Sequence, residues 1–231
     1  MAKMQKRQSN YQKSTVLAIA SFVVVALALV ALVIYNGTRH SAASFLAQYS
    51  NADHGSTIEE FALQTRGEAY EFTALFNLEG VKLLEYSFNN PEMSGLPPEV
   101  SHYLYNVYKK NDLVIVHNHP GIDHTFSDVD MLLTHSDSPF AMQLVFGYSH
   151  AYILRPGDKG WPTYGDTQNY LTNIYLRFVS GDGEVANQVK TDALSSNLYT
   201  TDEFARSYAA NFDLRYNIVD LNNFNFADWV P

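Results

Sequence analysis

The chain has 231 residues, enough for one domain with an appendage, and 46% of them are hydrophobic, which is sufficient for a packed core. Charged residues make up only 17% and the formal net charge is −9, which argues against a protein that binds nucleic acid through its phosphates. There is no cysteine, so a disulfide scaffold, a cysteine cage for zinc and a cysteine nucleophile are all excluded. Any metal site must therefore be built from histidine, aspartate and glutamate side chains.

The charge is distributed unevenly along the chain. Residues 1–40 carry five basic side chains and no acidic one, so the other ten basic residues and all 24 acidic residues lie in 41–231. No charged residue occurs between Lys13 and Arg39, and residues 16–35 read VLAIASFVVVALALVALVIY. Twenty such residues in a helix span about 30 Å, the thickness of the hydrocarbon core of a bilayer. We therefore predict a transmembrane anchor over residues 14–38.

A cleaved signal peptide is the alternative for this apolar segment. The apolar region of a signal peptide usually runs for only about 7–15 residues, which favours the uncleaved anchor, although residues 41–43 (Ser-Ala-Ala) offer a weak cleavage site. The basic flank precedes the apolar segment, so the positive-inside rule places residues 1–13 in the cytoplasm. These features predict a single-pass membrane protein with its acidic body on the extracytoplasmic side.

Beyond the anchor, strand-like and helix-like segments alternate. The predicted elements in chain order are strands at 70–76 and 81–88, a helix following Pro97 and Pro98, a strand at 113–116, a helix beginning at Ser127, a strand pair within 141–154, and helices around 171–178 and 204–212. This order predicts an α/β fold in which a mixed β-sheet is flanked by helices. The predicted segments are a basic tail (1–13), the anchor (14–38), a linker (39–56), an α/β domain (57–160) and a helical C-terminal extension (161–231).

One short stretch of the sequence indicates chemistry. His117 and His119 follow an apolar run, and residues two apart on a strand point to the same side, so both imidazoles can reach one ion. Asp130 falls in the first turn of the helix that begins at Ser127 and could supply a carboxylate. Three protein ligands leave the fourth position of zinc open, as in catalytic sites. Ser127 and Asp130 also fit a helix capping box, a structural reading that is compatible with the catalytic one.

The pattern H-x-H, seven residues, then S-x-x-D resembles that of the JAMM (MPN-plus, JAB/Mov34-type) zinc metallopeptidases, and His-Asn-His-Pro is most similar to the bacterial RadC-type branch. The resemblance covers about residues 60–155 and implies a JAB/MPN, cytidine-deaminase-like core. It also implies that His117, His119 and Asp130 bind Zn²⁺ and that Ser127 stabilises the oxyanion. The implied reaction is hydrolysis of a peptide or isopeptide bond in a peptide or protein substrate.

The family's general base is a glutamate on an upstream strand. Glu71, 46 residues before His117, fits this role best, and Glu68 is the runner-up. Three positions depart from the family pattern without removing a ligand, and they affect the shape of the loop and the choice of substrate. They are Phe126 in place of proline, Ala74 in place of glycine, and residues 121–122 (Gly-Ile) in place of Ser-Gly.

Other interpretations stay open. Metallo-β-lactamase-like sites need H-x-H-x-D-H, whereas three residues separate His119 from Asp123 here, and amidohydrolases need a barrel of about 250 residues. Asp123 and His124 are predicted to be solvated loop residues. A catalytically silent member of the same fold would act as a protein-interaction scaffold. A DNA-repair role, by association with RadC-type proteins, is disfavoured by the acidic body, so no nucleic-acid partner is expected.

Overall fold

The computed structural model describes residues 42–91, 93–121, 123–180 and 202–230, together with Val24, Leu27 and Leu29. The chain divides into two compact units, residues 1–45 and 46–231. The predicted basic tail lies outside the described residues, as does the predicted anchor except at these three positions, which are helical and 57–65% exposed. Within the described part of the chain, no helix combines the length and apolarity that a membrane span requires.

The described residues of the second unit form one mixed six-stranded sheet with helices on both faces. Its order is β2-β1-β3-β4-β5-β6, and β3 and β4 are parallel while the other neighbouring pairs are antiparallel. The strands are β1 (Thr73–Asn77), β2 (Lys82–Tyr86), β3 (Leu113–Asn118), β4 (Phe140–Phe146), β5 (His150–Arg155) and β6 (Arg215–Asp220). The helices are α1 (Ile58–Gln64), α2 (Pro98–Val107), α3 (Asp128–Leu133), α4 (Tyr164–Ser180) and α5 (Asp202–Phe212). The predicted α/β fold with a mixed sheet is therefore confirmed.

The sheet is covered by a separate apolar cluster on each face. On one side, here called the α1 face, Val114 and Val116 pack against Phe61 of α1 and against the aromatic residues that follow β6. On the other side, the α3 face, Val145 packs with Met131 of α3 and with the residues that α5 buries. Successive residues of β3 alternate between these faces, because side chains along a strand point in opposite directions. Residues 115 and 117 therefore lie on the α3 face, and residues 114, 116 and 118 on the α1 face.

The C-terminal extension is not purely helical, which corrects the prediction for 161–231. It also supplies β6, which pairs antiparallel with β5 from Arg155↔Arg215 to His150↔Asp220. The alternating residues of β6 explain this strand, because Ile218 packs on the α3 face and Val219 on the α1 face. The sequence indicated the helical spacing of apolar residues in α5. The change to the two-residue period of a strand after this helix was missed.

The segment predicted as a linker, 39–56, is bonded to the sheet over part of its length. Residues 42–47 are helical. The Asn51 side chain donates to Ser87 O at 2.8 Å and accepts from Ser87 N at 2.9 Å. The buried Glu85 carboxylate accepts from His54 N at 2.7 Å and from Lys82 Nζ at 2.8 Å. Residues 51–54 are therefore fixed along β2.

The residues after β6 return to the α1 face. The backbone N–H of Phe226 donates to the Glu59 carboxylate at 2.7 Å. The Arg155 guanidinium donates to Trp229 O at 2.9 Å and lies over the indole ring, 5.2 Å from its centroid. These contacts hold the C-terminal segment over the apolar cluster of the α1 face.

Candidate metal centre

The site lies where β3 ends on the α3 face. His117 is the fifth residue of the buried strand LVIVHN, and His119 is the first residue beyond it. The N–H of His119 still donates to Phe146 O of β4 at 2.8 Å. Pro120 has no N–H to continue the pairing, so the chain leaves the sheet there. It returns at α3, which brings Asp130 up against the two imidazoles.

The three predicted ligands converge to within bonding range of a single ion. The distance from His117 Nε2 to His119 Nε2 is 3.2 Å, and the distance from His117 Nε2 to Asp130 Oδ1 is 3.3 Å. His119 Nε2 lies 3.7 Å from Asp130 Oδ2. Tetrahedral ligands at about 2.0–2.1 Å from zinc are separated from one another by about 3.3 Å. The buried group of His117, His119 and Asp130 could therefore hold a metal ion, and its spacing fits such a centre.

Burial and charge determine the protonation of this group. Burial lowers the pKa of His117, but the Asp130 carboxylate outweighs it and the net pKa is raised. Burial, and then the neighbouring His117, lower the pKa of His119 to about 4. Burial would raise the pKa of Asp130, but the two imidazoles hold it well below its usual range. Asp130 therefore favours the ionised form and His117 holds a proton to higher pH than usual, while His119 stays neutral down to about pH 4.

The second ring nitrogen, Nδ1, has different surroundings in the two histidines. His119 Nδ1 lies 3.0 Å from His124 O, so it carries the proton and the Nε2 lone pair faces the other ligands. This is the usual outer contact of a metal-binding histidine. His117 Nδ1 is buried and has no hydrogen-bond partner among the described residues.

Ser127 is the N-cap of α3 and forms a reciprocal capping box with Asp130. Its hydroxyl donates to Asp130 Oδ2 at 2.7 Å and accepts from Asp130 N at 3.2 Å. The hydroxyl proton is therefore committed to the Asp130 carboxylate in this state. The structural reading of the Ser127–Asp130 pair holds, and the same contacts orient the predicted ligand.

The two candidate bases occupy different surroundings. Glu71 is 9% exposed, and its Oε1 lies 4.0 Å from His119 Nε2. The Glu68 side chain is 44% exposed and lies 3.8 Å from His54 Nε2. The structure thus brings Glu71, and not Glu68, to the edge of the histidine pair. Glu71 lies two residues before β1 rather than at the start of a strand.

The loop between His119 and Ser127 makes hydrogen bonds to the turn between β4 and β5 and to β5 itself. Asp123, which was predicted to be solvated, accepts from Ser149 N at 2.6 Å and from His150 N at 3.1 Å. Its backbone oxygen accepts from the Tyr152 hydroxyl at 3.1 Å. The prediction holds for Asp123, which is exposed and lies outside the ligand group, and its carboxylate also caps the turn between β4 and β5, a contact across 26 residues.

The departures from the family pattern are accommodated by contacts of this chain. Phe126 is fully buried and packs edge-on against Tyr216 of β6, with ring centroids 6.2 Å apart. The Thr125 hydroxyl lies 2.9 Å from the Tyr216 hydroxyl. Gly121 has φ 68°, a conformation that favours glycine. Tyr216 therefore supports the loop from the C-terminal extension, a role that no local sequence signal indicated.

An apolar cavity of about 240 Å³ lies on the α3 face, and its lining contains none of the predicted site residues. Its lining includes residues 93–96, Ile115 and Leu133. Ile115 precedes His117 by two residues on the same strand face, and Leu133 follows Asp130 by three residues on α3. The cavity is thus lined in part by the same strand and helix that carry His117 and Asp130.

Comparisons with protein-family models, with curated proteins and with solved structures found no match.

Proposed function

We propose that this chain is a membrane-anchored zinc metallopeptidase that hydrolyses a peptide or isopeptide bond. The observation that carries the proposal is the buried group of His117, His119 and Asp130 with the Glu71 carboxylate 4.0 Å from His119. The resemblance of the ligand spacing to the JAMM pattern supports it. A buried site with three ligands and an adjacent carboxylate that does not belong to the ligand set suits a hydrolase that activates water.

The donor set is compatible with more than one metal. Two imidazoles and one carboxylate also bind iron in non-haem oxygenases. Zinc is favoured because Glu71 stands beside the group as a base, and because hydrolysis needs no redox change at the ion. When bound, zinc would act as a Lewis acid on water and on the scissile carbonyl.

The residues of the chain supply the proton transfers and the positioning. Glu71 takes a proton from the attacking water and passes it to the leaving amine. Its low exposure keeps it in a weakly screened environment, where its charge acts strongly on neighbouring groups. Asp130 and the two histidines hold the metal. The apolar cavity lined by Ile115 and Leu133 lies on the same face of the sheet and has room for a substrate side chain.

The Ser127 hydroxyl can donate its proton either to Asp130 or to the oxyanion. In the resting site its hydroxyl orients Asp130. Rotation of the hydroxyl would let it donate to the oxyanion, a contribution of about 3 kcal/mol for a typical single donor. The backbone N–H of Ser127 would keep Asp130 in place meanwhile, since it donates to Asp130 Oδ2 at 2.8 Å.

The apolar segment at 14–38 and the basic residues before it support an anchored protein whose body faces away from the cytoplasm. The substrate would then be a peptide or protein in that compartment or at the membrane surface. The acidic body speaks against a nucleic-acid partner.

The test is metal content and hydrolysis of the full-length chain in detergent. We expect about one zinc per chain by elemental analysis and cleavage of a peptide library followed by mass spectrometry. His117→Ala should lose both, whereas His102→Ala, which alters an exposed histidine of α2, should keep both. Stoichiometric iron would contradict the choice of zinc. Absence of bound metal in folded protein supplied with zinc would favour the scaffold function instead.

A further inference from the structure

Asn118, between the two histidines in sequence, reaches the segment that carries Glu71. Its Oδ1 accepts from Phe72 N at 2.7 Å, and its Nδ2 donates to Tyr70 O at 3.1 Å. These are the backbone groups of the residues immediately before and after Glu71. The Asn118 side-chain amide therefore binds the backbone on both sides of the proposed base, and Asn118 is 2% exposed.

The position of Asn118 on β3 explains how it reaches this segment. His117 and His119 project to the α3 face, while Asn118 projects to the α1 face. Regular pairing of β1 with β3 runs from Asn77↔Leu113 to Thr73↔His117, and the last backbone bond is from Asn118 N to Phe72 O at 3.3 Å. Beyond that point the Asn118 amide takes the place of a peptide group and extends the pairing to residues 70–72.

The peptide groups of Glu71 itself are held from the β2 side. Glu71 N donates to Asn90 O at 3.2 Å, and Glu71 O accepts from the Ser87 hydroxyl at 2.7 Å. Five hydrogen bonds thus fix the backbone of residues 70–72, although this segment is not part of a strand. Removing the Asn118 side-chain oxygen leaves the buried Phe72 N–H without that acceptor, which makes this segment easier to open.

We propose that Asn118 is a positioning residue that fixes the distance between the metal ligands and the base, an inference that rests on the proposed function. The strand that presents His117 and His119 also carries the amide that grips residues 70–72. Any movement of β3 relative to the backbone around Glu71 must therefore break the bonds of Asn118. Misplacing a catalytic group by about 1 Å can cost about 100-fold in rate.

The first test follows the amides of residues 71 and 72 by hydrogen exchange in the full-length, zinc-supplied protein. In Asn118→Ala we expect exchange at these amides to quicken about tenfold or more, with the zinc content unchanged. The matched control is Asn77→Ala, because Asn77 closes the turn at the opposite end of β1 by accepting from Val81 N at 2.8 Å. Unchanged exchange at 71 and 72 in Asn118→Ala would overturn the proposal, as would a uniform increase across β3 and β4 with loss of zinc.

The second test uses the hydrolytic reaction. We expect Asn118→Ala to lower kcat about 10- to 100-fold with KM unchanged. Asn118→Asp, which keeps the acceptor for Phe72 N and loses the donor to Tyr70 O, should fall between it and the wild type. In a Glu71→Gln background the Asn118 substitution should have no further effect on kcat, whereas an additive loss would show that Asn118 acts elsewhere.

The outcomes separate the two proposals. If the wild-type protein binds zinc but hydrolyses no peptide, the proposed function fails, and the exchange at 71 and 72 alone decides whether Asn118 holds the segment. If hydrolysis occurs and Asn118→Ala keeps the full kcat, the proposed function stands and the positioning role fails.

Discussion

Ser127 binds a single oxygen of Asp130 twice, through its backbone N–H at 2.8 Å and its hydroxyl at 2.7 Å from Oδ2. The other oxygen, Oδ1, is left facing His117 Nε2 at 3.3 Å. Ser127 therefore determines which carboxylate oxygen is presented to His117.

Ser127→Ala should weaken zinc binding about 10- to 100-fold, because outer contacts of this kind tune the affinity of metal ligands. It should also destabilise the protein by about 1 kcal/mol through loss of the helix cap. Thr57→Ala is the matched control, since Thr57 caps α1 through the same reciprocal pattern with Glu60. It should lower stability by a similar amount and leave the zinc affinity unchanged. Competition with a chromophoric chelator measures the affinity, and equal affinities in the two variants would contradict the role of Ser127.

His119→Ala should abolish stoichiometric metal binding, because two protein ligands rarely hold zinc tightly. His124→Ala should retain the metal, since His124 contacts the site through its backbone oxygen, which the substitution preserves. Elemental analysis after dialysis distinguishes the two variants. Loss of metal from His124→Ala would indicate that the His124 ring takes part in the site.

Glu71→Gln should keep the metal and lower kcat about 100- to 10,000-fold, the range for removal of a general base. Glu68→Gln should leave kcat unchanged, because the Glu68 carboxylate is half exposed and faces His54. The comparison is made by measuring kcat of both variants on a peptide that the wild-type protein hydrolyses. The assignment of the base would be wrong if Glu68→Gln were the slower enzyme.

Zinc affinity should rise with pH near and below neutrality. The pKa of His117 is raised above its ordinary value, so the metal must displace the proton that His117 shares with Asp130. Below the pKa of His117 the affinity should fall by about tenfold for each pH unit of acidification. His119, with a pKa of about 4, stays neutral and adds little to this dependence above pH 5. Titration calorimetry in buffers of different ionisation enthalpy counts the released protons, and release of none at pH 6 would contradict the pairing.

Tyr216→Phe should destabilise the protein by about 1 kcal/mol while keeping the metal, because it removes the hydrogen bond to Thr125 and preserves the ring packing on Phe126. Tyr170→Phe is the control, since the hydroxyl of Tyr170 bonds Ser207 at an exposed position. It should change stability much less. Thermal unfolding of both variants checks the difference, and equal shifts would mean that the Thr125 contact adds nothing.

Local sequence patterns were sufficient to predict the ligand geometry. The period of a strand placed His117 and His119 on one face, and the capping signature placed Asp130 in the first turn of α3. Both rules act within a few residues, so they hold whatever the rest of the chain does. The order of the main strands and helices followed from the same periodicities.

Contacts between distant segments could not be derived in this way. The distance of Glu71 from His119 depends on the alignment of β1 with β3, and the support of the loop depends on Tyr216, 91 residues after Thr125. Asn118 occupies the x position of the H-x-H pattern, and the pattern does not specify the residue type there. Only the sheet register shows that its amide meets residues 70–72.

The hydrogen bond between Phe226 and Glu59 joins positions 167 residues apart. Closing so long a loop is entropically costly until the sheet has formed, so we expect this contact to form late in folding and to break early in unfolding. The segment that includes Phe224 covers the α1 face, whereas His117 lies on the opposite face. The lowest-energy opening of the body should therefore uncover a hydrophobic surface while His117, His119 and Asp130 stay together. A partly opened form of this kind would be prone to aggregation and proteolysis before the candidate metal centre came apart.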